Sequence, residues 1–179
     1  WIECPDKAAR VRAMAVLDEV MKADPHFDQM INPLPFDGER LLWGCFETLV
    51  ERGEPAVTPY VQGFVLPILE ACKQDYCSIA EQAWKRLRSC GALRLVSAWE
   101  DDLPRGGPTD FFRMANTGPG DKVVFAFVEW PSREVCDAAL GSGQDAFGDH
   151  SLLDRARMIS GGFRPVVEAI RQQPPSSGS

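Results

Sequence analysis

Apolar residues recur along this chain with two spacings, one typical of helices and one of strands. In residues 6–22 and 69–89 they return every three or four positions, which predicts two amphipathic helices. A shorter helix is predicted at 132–140, with Ser132 as its N-cap. Mostly apolar or alternating stretches predict strands at 41–50, 57–67, 93–100, 122–130 and 157–169, a short strand at 111–115, and the end of a strand at 1–5.

One of these patterns occurs twice, at residues 40–50 and 157–167. Each copy is an apolar strand pattern interrupted by two small residues, Gly-Cys in the first copy and Gly-Gly in the second. Residues 127–131 also align with residues 1–5, since both segments end an apolar strand at a proline. Together these similarities indicate an internal repeat, so we expect its copies to take equivalent places in the fold.

The predicted order of elements in residues 57–171 is β-α-β-β-α-β, which is the ferredoxin-like pattern. Residues 1–53 match only the second half of such a unit, and residues 172–179 are rich in proline and serine and predict a disordered tail. The ferredoxin-like order places both helices on one face of an antiparallel sheet and leaves the other face bare. The sequence therefore predicts an α+β protein whose ferredoxin-like sheets pack face to face.

The half unit at residues 1–53 lacks the strands that would complete its sheet. One explanation is a tandem two-unit protein whose beginning lies before Trp1, and the other is a second chain that supplies the strands. Both explanations predict that this chain pairs with a like unit, either within one chain or by self-association.

The composition of the chain argues against some classes of binding partner. The chain has 179 residues, of which 45% are hydrophobic and 25% charged, as in ordinary globular proteins. Its net charge of −7 argues against nucleic acid as a partner. The sequence contains no apolar run of about 20 residues, which argues against a membrane span, and shows no leader pattern. The six cysteines form no CxxC pair, which favours reduced thiols and a cytoplasmic location.

Several segments resemble one known family in the same order along the chain. Residues 60–67 (YVQGFVLP) resemble its opening strand, and residues 36–46 (FDGERLLWGCF) resemble its closing motif. After the opening strand, further similarities follow in the family order at residues 84–85, 90–93, 101–102, 111–113 and 122–125. By these motifs the chain is identified as a member of the DUF1428 (YbaA-like) family, with similarity that extends to about Arg171.

The resemblance implies a dimeric α/β-barrel, in which two ferredoxin-like sheets pack face to face. It implies no established activity, because the family is uncharacterised. The chain departs from the family pattern at residues 152–155, where Leu-Leu-Asp-Arg replaces a Pro-Phe-Asp-Gly turn. A site built on that turn is therefore not expected in the second copy.

Loop residues offer two candidate sites. His26 and His150 lie in loops near acidic residues, but a metal needs about three converging ligands, so we predict solvated loop residues and no metal. Asp37 and Arg40 lie three positions apart in a turn, as do their counterparts Asp154 and Arg157. Such a pair either fixes the turn or lines the mouth of a cleft.

The remaining candidates lie on or beside predicted sheet elements. Most aromatic residues there are explained by core packing, but a face-to-face barrel also encloses space for a ligand. The residues that we expect to line this space are Tyr60, Arg94, Trp99, Arg113 and Glu129. The sequence contains no phosphate-binding glycine loop, HExxH or GxSxG motif, so no cofactor is expected.

Two functions remain open at this point. The first is binding of a small apolar ligand, or a stress-related role, without catalysis. The alternative is a cofactor-independent enzyme, similar to a monooxygenase or an isomerase, that uses the barrel cavity. A buried polar group with a shifted pKa beside a hydrated cavity would favour the enzyme, whereas a filled interior would favour a structural or interaction role.

Overall fold

The computed structural model describes residues 2–24, 26, 42–55, 60–106, 109–141, 147–148 and 150–166. Its contacts divide the chain into two compact units, residues 1–41 and residues 42–179. The predicted tail at 172–179 and the candidate residues Asp37 and Arg40 lie outside the described residues.

The first unit contains one described helix, α1 (Lys7–Ala23), which confirms the helix predicted at 6–22. Asp6 caps it, since its Oδ1 accepts a hydrogen bond of 2.6 Å from the backbone N–H of Ala9. Residues 2–5 do not form a strand. The predicted strand end is therefore wrong for these residues, because a strand needs a paired neighbour and the segment forms no ladder.

The second unit is built on one antiparallel sheet. Its strands are β1 (Cys45–Gly53), β2 (Tyr60–Leu69), β3 (Arg94–Asp102), β4 (Asp121–Trp130) and β5 (Ile159–Phe163), in the spatial order β1-β3-β4-β2-β5. Its α-helices are α2 (Lys73–Ser89), which follows a 3-10 turn at Glu70–Cys72, α3 (Phe111–Met114) and α4 (Arg133–Leu140). This arrangement confirms the α+β class.

The first face of the sheet packs against α2 and α4. Strand side chains such as Leu66, Leu95 and Val128 share a buried cluster there with Tyr76 of α2 and Cys136 of α4. Helix α4 begins as predicted, because Ser132 is its N-cap. Helix α2 ends as predicted, because the left-handed Gly91, with φ of 98°, follows it. The predicted amphipathic stripe of α2 is therefore the stripe that the sheet buries.

The second face of the sheet is the face opposite α2 and α4, and part of it is covered. Phe112 and Ala115, in and just after α3, pack against Val65 and Val123 of the sheet. Two sequence-based expectations are wrong here, namely a strand at 111–115 and a second face that is entirely bare. Asp110 caps a helical turn instead, because its carboxylate accepts a hydrogen bond of 2.8 Å from the backbone N–H of Arg113.

The two copies of the repeated pattern do not take equivalent places. The first copy leads into β1, which pairs with β3, whereas the second copy forms β5, which pairs with β2. β1 also continues to Gly53, beyond the predicted end at residue 50. The polar residues at its end stay in the strand because Glu51 forms an ion pair on the second face and Arg52 forms one with Glu81 of α2.

Among the described residues, no helix is long and apolar enough to cross a membrane. The same residues include no group of three or more histidine, cysteine, aspartate or glutamate side chains placed to hold a metal ion. All six cysteines are free thiols. Burial raises the pKa of the Cys136 thiol to about 11, so this cysteine is protonated at neutral pH.

Candidate functional site

A group of three charges, two of them buried, lies on the second face of the sheet, where β1, β3 and β4 run side by side. Arg94 and Glu129 face each other across β3 and β4, and Arg94 Nη1 donates a hydrogen bond of 3.3 Å to Glu129 Oε1. Arg94 Nε donates a second bond, of 3.0 Å, to Glu51 Oε1 on β1. We call these three residues the Arg94 cluster.

The surroundings of the Arg94 cluster are apolar. Arg94 and Glu129 are 3% and 7% exposed, beside the buried side chains of Val96 and Phe127. The guanidinium carbon of Arg94 lies 5.7 Å from the centre of the Phe127 ring, where the face of the ring attracts a cation. Buried charges in such surroundings require paired partners, because desolvation penalises each charge separately. The cluster is therefore a pre-arranged polar centre on an apolar surface.

Two other predicted site residues lie on the opposite face of the sheet. Tyr60 and Trp99 belong to the core cluster beneath α2 and α4. A Cβ atom at Gly162 would lie 1.8 Å from the Tyr60 hydroxyl oxygen, so the tyrosine packs directly on this glycine. Lys73 Nζ lies 5.3 Å from the centre of the Trp99 ring. The structure thus brings together Arg94 and Glu129 but not these two aromatic residues.

Arg113 lies on α3, away from the Arg94 cluster. Its side chain is 61% exposed and its Nε lies 3.8 Å from Oδ2 of Asp110. Asp110 is 8% exposed and also accepts a hydrogen bond of 3.2 Å from the backbone N–H of Gly106. The backbone N–H of Arg113 is the main reason that the pKa of Asp110 lies below its usual value. Asp110 therefore holds both α3 and the loop before it.

Replacing Asp110 with alanine is expected to lower the free energy of unfolding by about 1–2 kcal/mol at pH 7, because a helix cap is lost. The lowered pKa means that this contribution is present above the pKa of unfolded aspartate, about 3.9, and disappears as pH falls through the lower folded value. Urea unfolding at pH 7 and pH 3 should therefore show a smaller difference between wild type and Asp110→Ala at pH 3. Asp110→Asn retains an acceptor, so it should lose less stability at pH 7, and equal losses would contradict the capping role.

The second-copy pair Asp154 and Arg157 is a turn-fixing ion pair. Arg157 Nε donates a hydrogen bond of 2.7 Å to Asp154 Oδ2, and its Nη1 donates one of 2.6 Å to Asp121 Oδ2. The guanidinium of Arg157 holds the pKa of Asp154 below its usual value. The pair ties the turn before β5 to the start of β4, as the turn-fixing interpretation predicts. The first-copy pair lies outside the described residues.

The histidine loops show no metal site among the described residues. His26 is exposed, and its backbone N–H donates a hydrogen bond of 2.8 Å to Asp24 Oδ1. His150 is partly buried, and its carbonyl accepts a hydrogen bond from Leu153.

Sequence reasoning missed Glu51, Phe127 and Asp110 as members of these groups. Glu51 lies just beyond the strand predicted at 41–50, although alternation along β1 places it beside Arg94. Pairing β3 with β4 in antiparallel register would have identified Arg94 and Glu129 as cross-strand neighbours, which is a signal present in the sequence. Asp110 could have been predicted as an N-cap from the sequence, since an aspartate directly before a short apolar run is typical of a helix start.

The sequence is similar to one described family and to proteins of Escherichia coli and Shigella flexneri. The family model described as "Protein of unknown function (DUF1428)" matches residues 59–146. The "Uncharacterized protein YbaA" of Escherichia coli strain K12 is 36% identical over 114 residues, which are 61% of this chain and 97% of that protein. The YbaA protein of Shigella flexneri matches with the same identity and coverage. This chain therefore belongs to the DUF1428 family, and it is similar to YbaA over nearly the whole length of that protein.

Proposed function

We propose that this chain is a non-catalytic small-molecule-binding protein, built from a ferredoxin-like unit whose second face packs against the same face of a second copy. The ligand lies between the two faces, and its polar group contacts the Arg94 cluster at Glu51, whose side chain is 42% exposed. The observation that carries the proposal is the Arg94 cluster, in which the paired Arg94 and Glu129 are buried beside the apolar side chains of Val96 and Phe127.

The order of the strands supports the ferredoxin-like part of the proposal. From β2 to β5 the element order, leaving out the short α3, is β-α-β-β-α-β, and the spatial order is β3-β4-β2-β5. This is the interleaved arrangement of two split β-α-β halves. Helices α2 and α4 of the unit both pack on the first face. On the second face, side chains on the β5 side are left exposed for a partner.

Exposed apolar residues on the β5 side of the second face support the pairing of two copies. Phe163 and Ile159 of β5 are 60% and 42% exposed, and Leu69, at the end of β2 on the same face, is 49% exposed. Their cross-strand neighbours on β2, Val61 and Val65, are apolar as well. A second copy related by two-fold symmetry would cover both sets of residues at once.

The charges of the Arg94 cluster indicate the polar group of the ligand. One guanidinium and two carboxylates, those of Glu51 and Glu129, give the cluster a formal charge of −1. A ligand with a hydroxyl or amine donor complements this charge better than an anion does. We therefore propose a mainly apolar ligand that carries one hydrogen-bond donor.

Three of the described side chains have pKa shifts that do not suit the enzyme alternative. The pKa of Asp110 lies below its usual value, and those of Lys122 and Cys136 lie above theirs, so all three move away from neutrality. General acid–base catalysis near pH 7 needs shifts in the opposite sense.

Replacing Phe163 with aspartate is expected to separate the paired faces and to weaken apolar binding by at least about 10-fold, because a carboxylate cannot be buried there without a partner. Sedimentation equilibrium should give a dimer for wild type and a monomer for Phe163→Asp. Fluorescence titration with N-phenyl-1-naphthylamine, a neutral apolar probe, should saturate for wild type and weaken for the variant.

Val166→Asp is the matched control. It introduces the same charge at a residue that lies outside the strand and is 96% exposed. It should leave both the mass and the probe affinity unchanged. Pairing of two copies is wrong if wild type sediments as a monomer. Ligand binding between the faces is wrong if the probe does not saturate, or if Val166→Asp weakens it as much as Phe163→Asp.

A further inference from the structure

An open cleft lies beside α3, at the end of the second face away from the Arg94 cluster. Its volume is about 500 Å³, within the range of small-ligand sites. Val123, which packs against α3, and Glu129 of the Arg94 cluster are six residues apart on β4, so about 20 Å separates the two regions. The residues that line the cleft include Arg105, Gly106, Phe112, Arg113, Asn116 and Thr117.

Arg105 is held at this cleft by an aromatic ring. Its guanidinium carbon lies 3.4 Å from the centre of the Phe112 ring, so the two groups are in stacking contact. Within the part of the chain that the structure describes, no carboxylate or carbonyl accepts a hydrogen bond from Arg105. A guanidinium carries its five N–H donors in its own plane, so stacking fixes the plane and leaves the donors at its edge for a ligand.

A second arginine gives the cleft a positive charge. The side chain of Arg113 is 61% exposed, and its contact with Asp110, at 3.8 Å, is longer than a hydrogen bond. Asp110 already accepts two backbone hydrogen bonds, from Arg113 and Gly106. Two arginines and one aspartate therefore line the cleft, in a chain whose net charge is −7.

We propose that this cleft binds a small organic anion through a carboxylate or phosphate group. Arg105 presents two parallel N–H donors to two oxygens of the anion, which is the geometry that guanidinium groups form with both kinds of group. Arg113 adds a second cation, and Asn116 and Thr117 add polar side chains to the same cleft. The site is separate from the proposed apolar ligand, so either proposal can fail while the other stands.

Titration of the full chain with sodium benzoate and with inorganic phosphate, each at constant ionic strength, tests the proposal by ¹H–¹⁵N correlation spectra. We expect saturating shifts of the amide signals of Gly106, Asn116 and Thr117 with at least one of the two anions. Tighter binding of benzoate would assign a carboxylate ligand, and tighter binding of phosphate a phosphate ligand. Arg105→Gln should raise the dissociation constant at least about 10-fold, as expected for the loss of one bidentate pair.

Arg88→Gln is the matched control, because Arg88 also lies over an aromatic ring, with its guanidinium carbon 5.8 Å from the centre of Trp84. It removes the same charge and should change the dissociation constant by less than about twofold, a free-energy change well under 1 kcal/mol. Unchanged signals elsewhere in the spectrum of Arg105→Gln would show that the variant is folded. The proposal is overturned if neither anion gives saturating shifts, if Arg105→Gln binds as wild type does, or if both variants lose equal affinity.

Discussion

Replacing Arg94 with leucine is expected to lower the free energy of unfolding by about 3–5 kcal/mol. The substitution leaves the Glu129 carboxylate, which is 7% exposed, without the guanidinium that lies 3.3 Å from it. Desolvation of this carboxylate is then no longer offset by the attraction of its partner. Glu51 also loses a partner, but its side chain is 42% exposed and water can solvate it. Urea unfolding at pH 7, followed by circular dichroism, measures the effect.

Arg52→Leu is the matched control for this prediction. Arg52 pairs with Glu81 across the first face, where the two side chains are 48% and 34% exposed. We expect its replacement to cost less than about 1 kcal/mol, as for other exposed ion pairs. The double substitution Arg94→Leu and Glu129→Leu should recover most of the loss, because no buried charge then remains in the Arg94 cluster. Equal losses for Arg94→Leu and Arg52→Leu would show that water solvates the Arg94 cluster.

The sheet and its two long helices could be predicted because their apolar patterns are strong. β2 and β4 are nearly continuous apolar runs, and each lies between two neighbouring strands. The end of β1 could not be predicted from hydrophobicity, since Glu51 and Arg52 are polar and are retained in the strand by ion pairs on opposite faces. At a sheet edge, cross-strand and helix contacts decide where a strand ends, and neither is visible in a local pattern.

The helical turn at α3 shows how a local hydrogen bond overrides strand propensity. Phe111 and Phe112 favour a strand by composition, but Asp110 offers its carboxylate to the N–H of Arg113 and fixes a helical turn. Burial of Phe112 against the second face then stabilises the turn. β1 and β5 likewise show that sequence similarity alone does not fix a strand's place, since β1 pairs with β3 and β5 with β2.

The candidate site could be predicted in part. Arg94 and Glu129 were both selected from the sequence, and the register of β3 and β4 makes them neighbours. Tyr60 and Trp99 were predicted to line the same space. Side chains alternate between the two faces along β2 and β3, however, and this alternation places both residues in the core beneath α2. Of the arginines that line the cleft, only Arg113 was predicted from the sequence as a site residue. The stacking of Arg105 on Phe112 could not be predicted, because it depends on the path of the chain between them.

Replacing Tyr76 with alanine is expected to lower the free energy of unfolding by about 3–5 kcal/mol, because a large aromatic side chain is removed from the core. Tyr76 is fully buried, and its ring centre lies 6.3 Å from that of Phe147. Tyr76→Phe should cost less, about 1–3 kcal/mol, because it removes only the hydroxyl group. That hydroxyl oxygen lies 2.6 Å from the hydroxyl oxygen of the fully buried Ser97, which would lose its partner. Urea unfolding of both variants at pH 7 separates the two contributions.

The dependence on alkaline pH provides an independent check on the same residue. Burial raises the pKa of Tyr76 far above its usual value, so the folded protein keeps this hydroxyl protonated where an unfolded tyrosine ionises, near pH 10. A raised folded pKa contributes stability that is complete below pH 10 and declines as pH rises above it. Wild type should therefore lose more stability between pH 9 and pH 11 than Tyr76→Phe does. Parallel losses would mean that water reaches the phenol, and the tight packing of α2 on the first face would then be wrong.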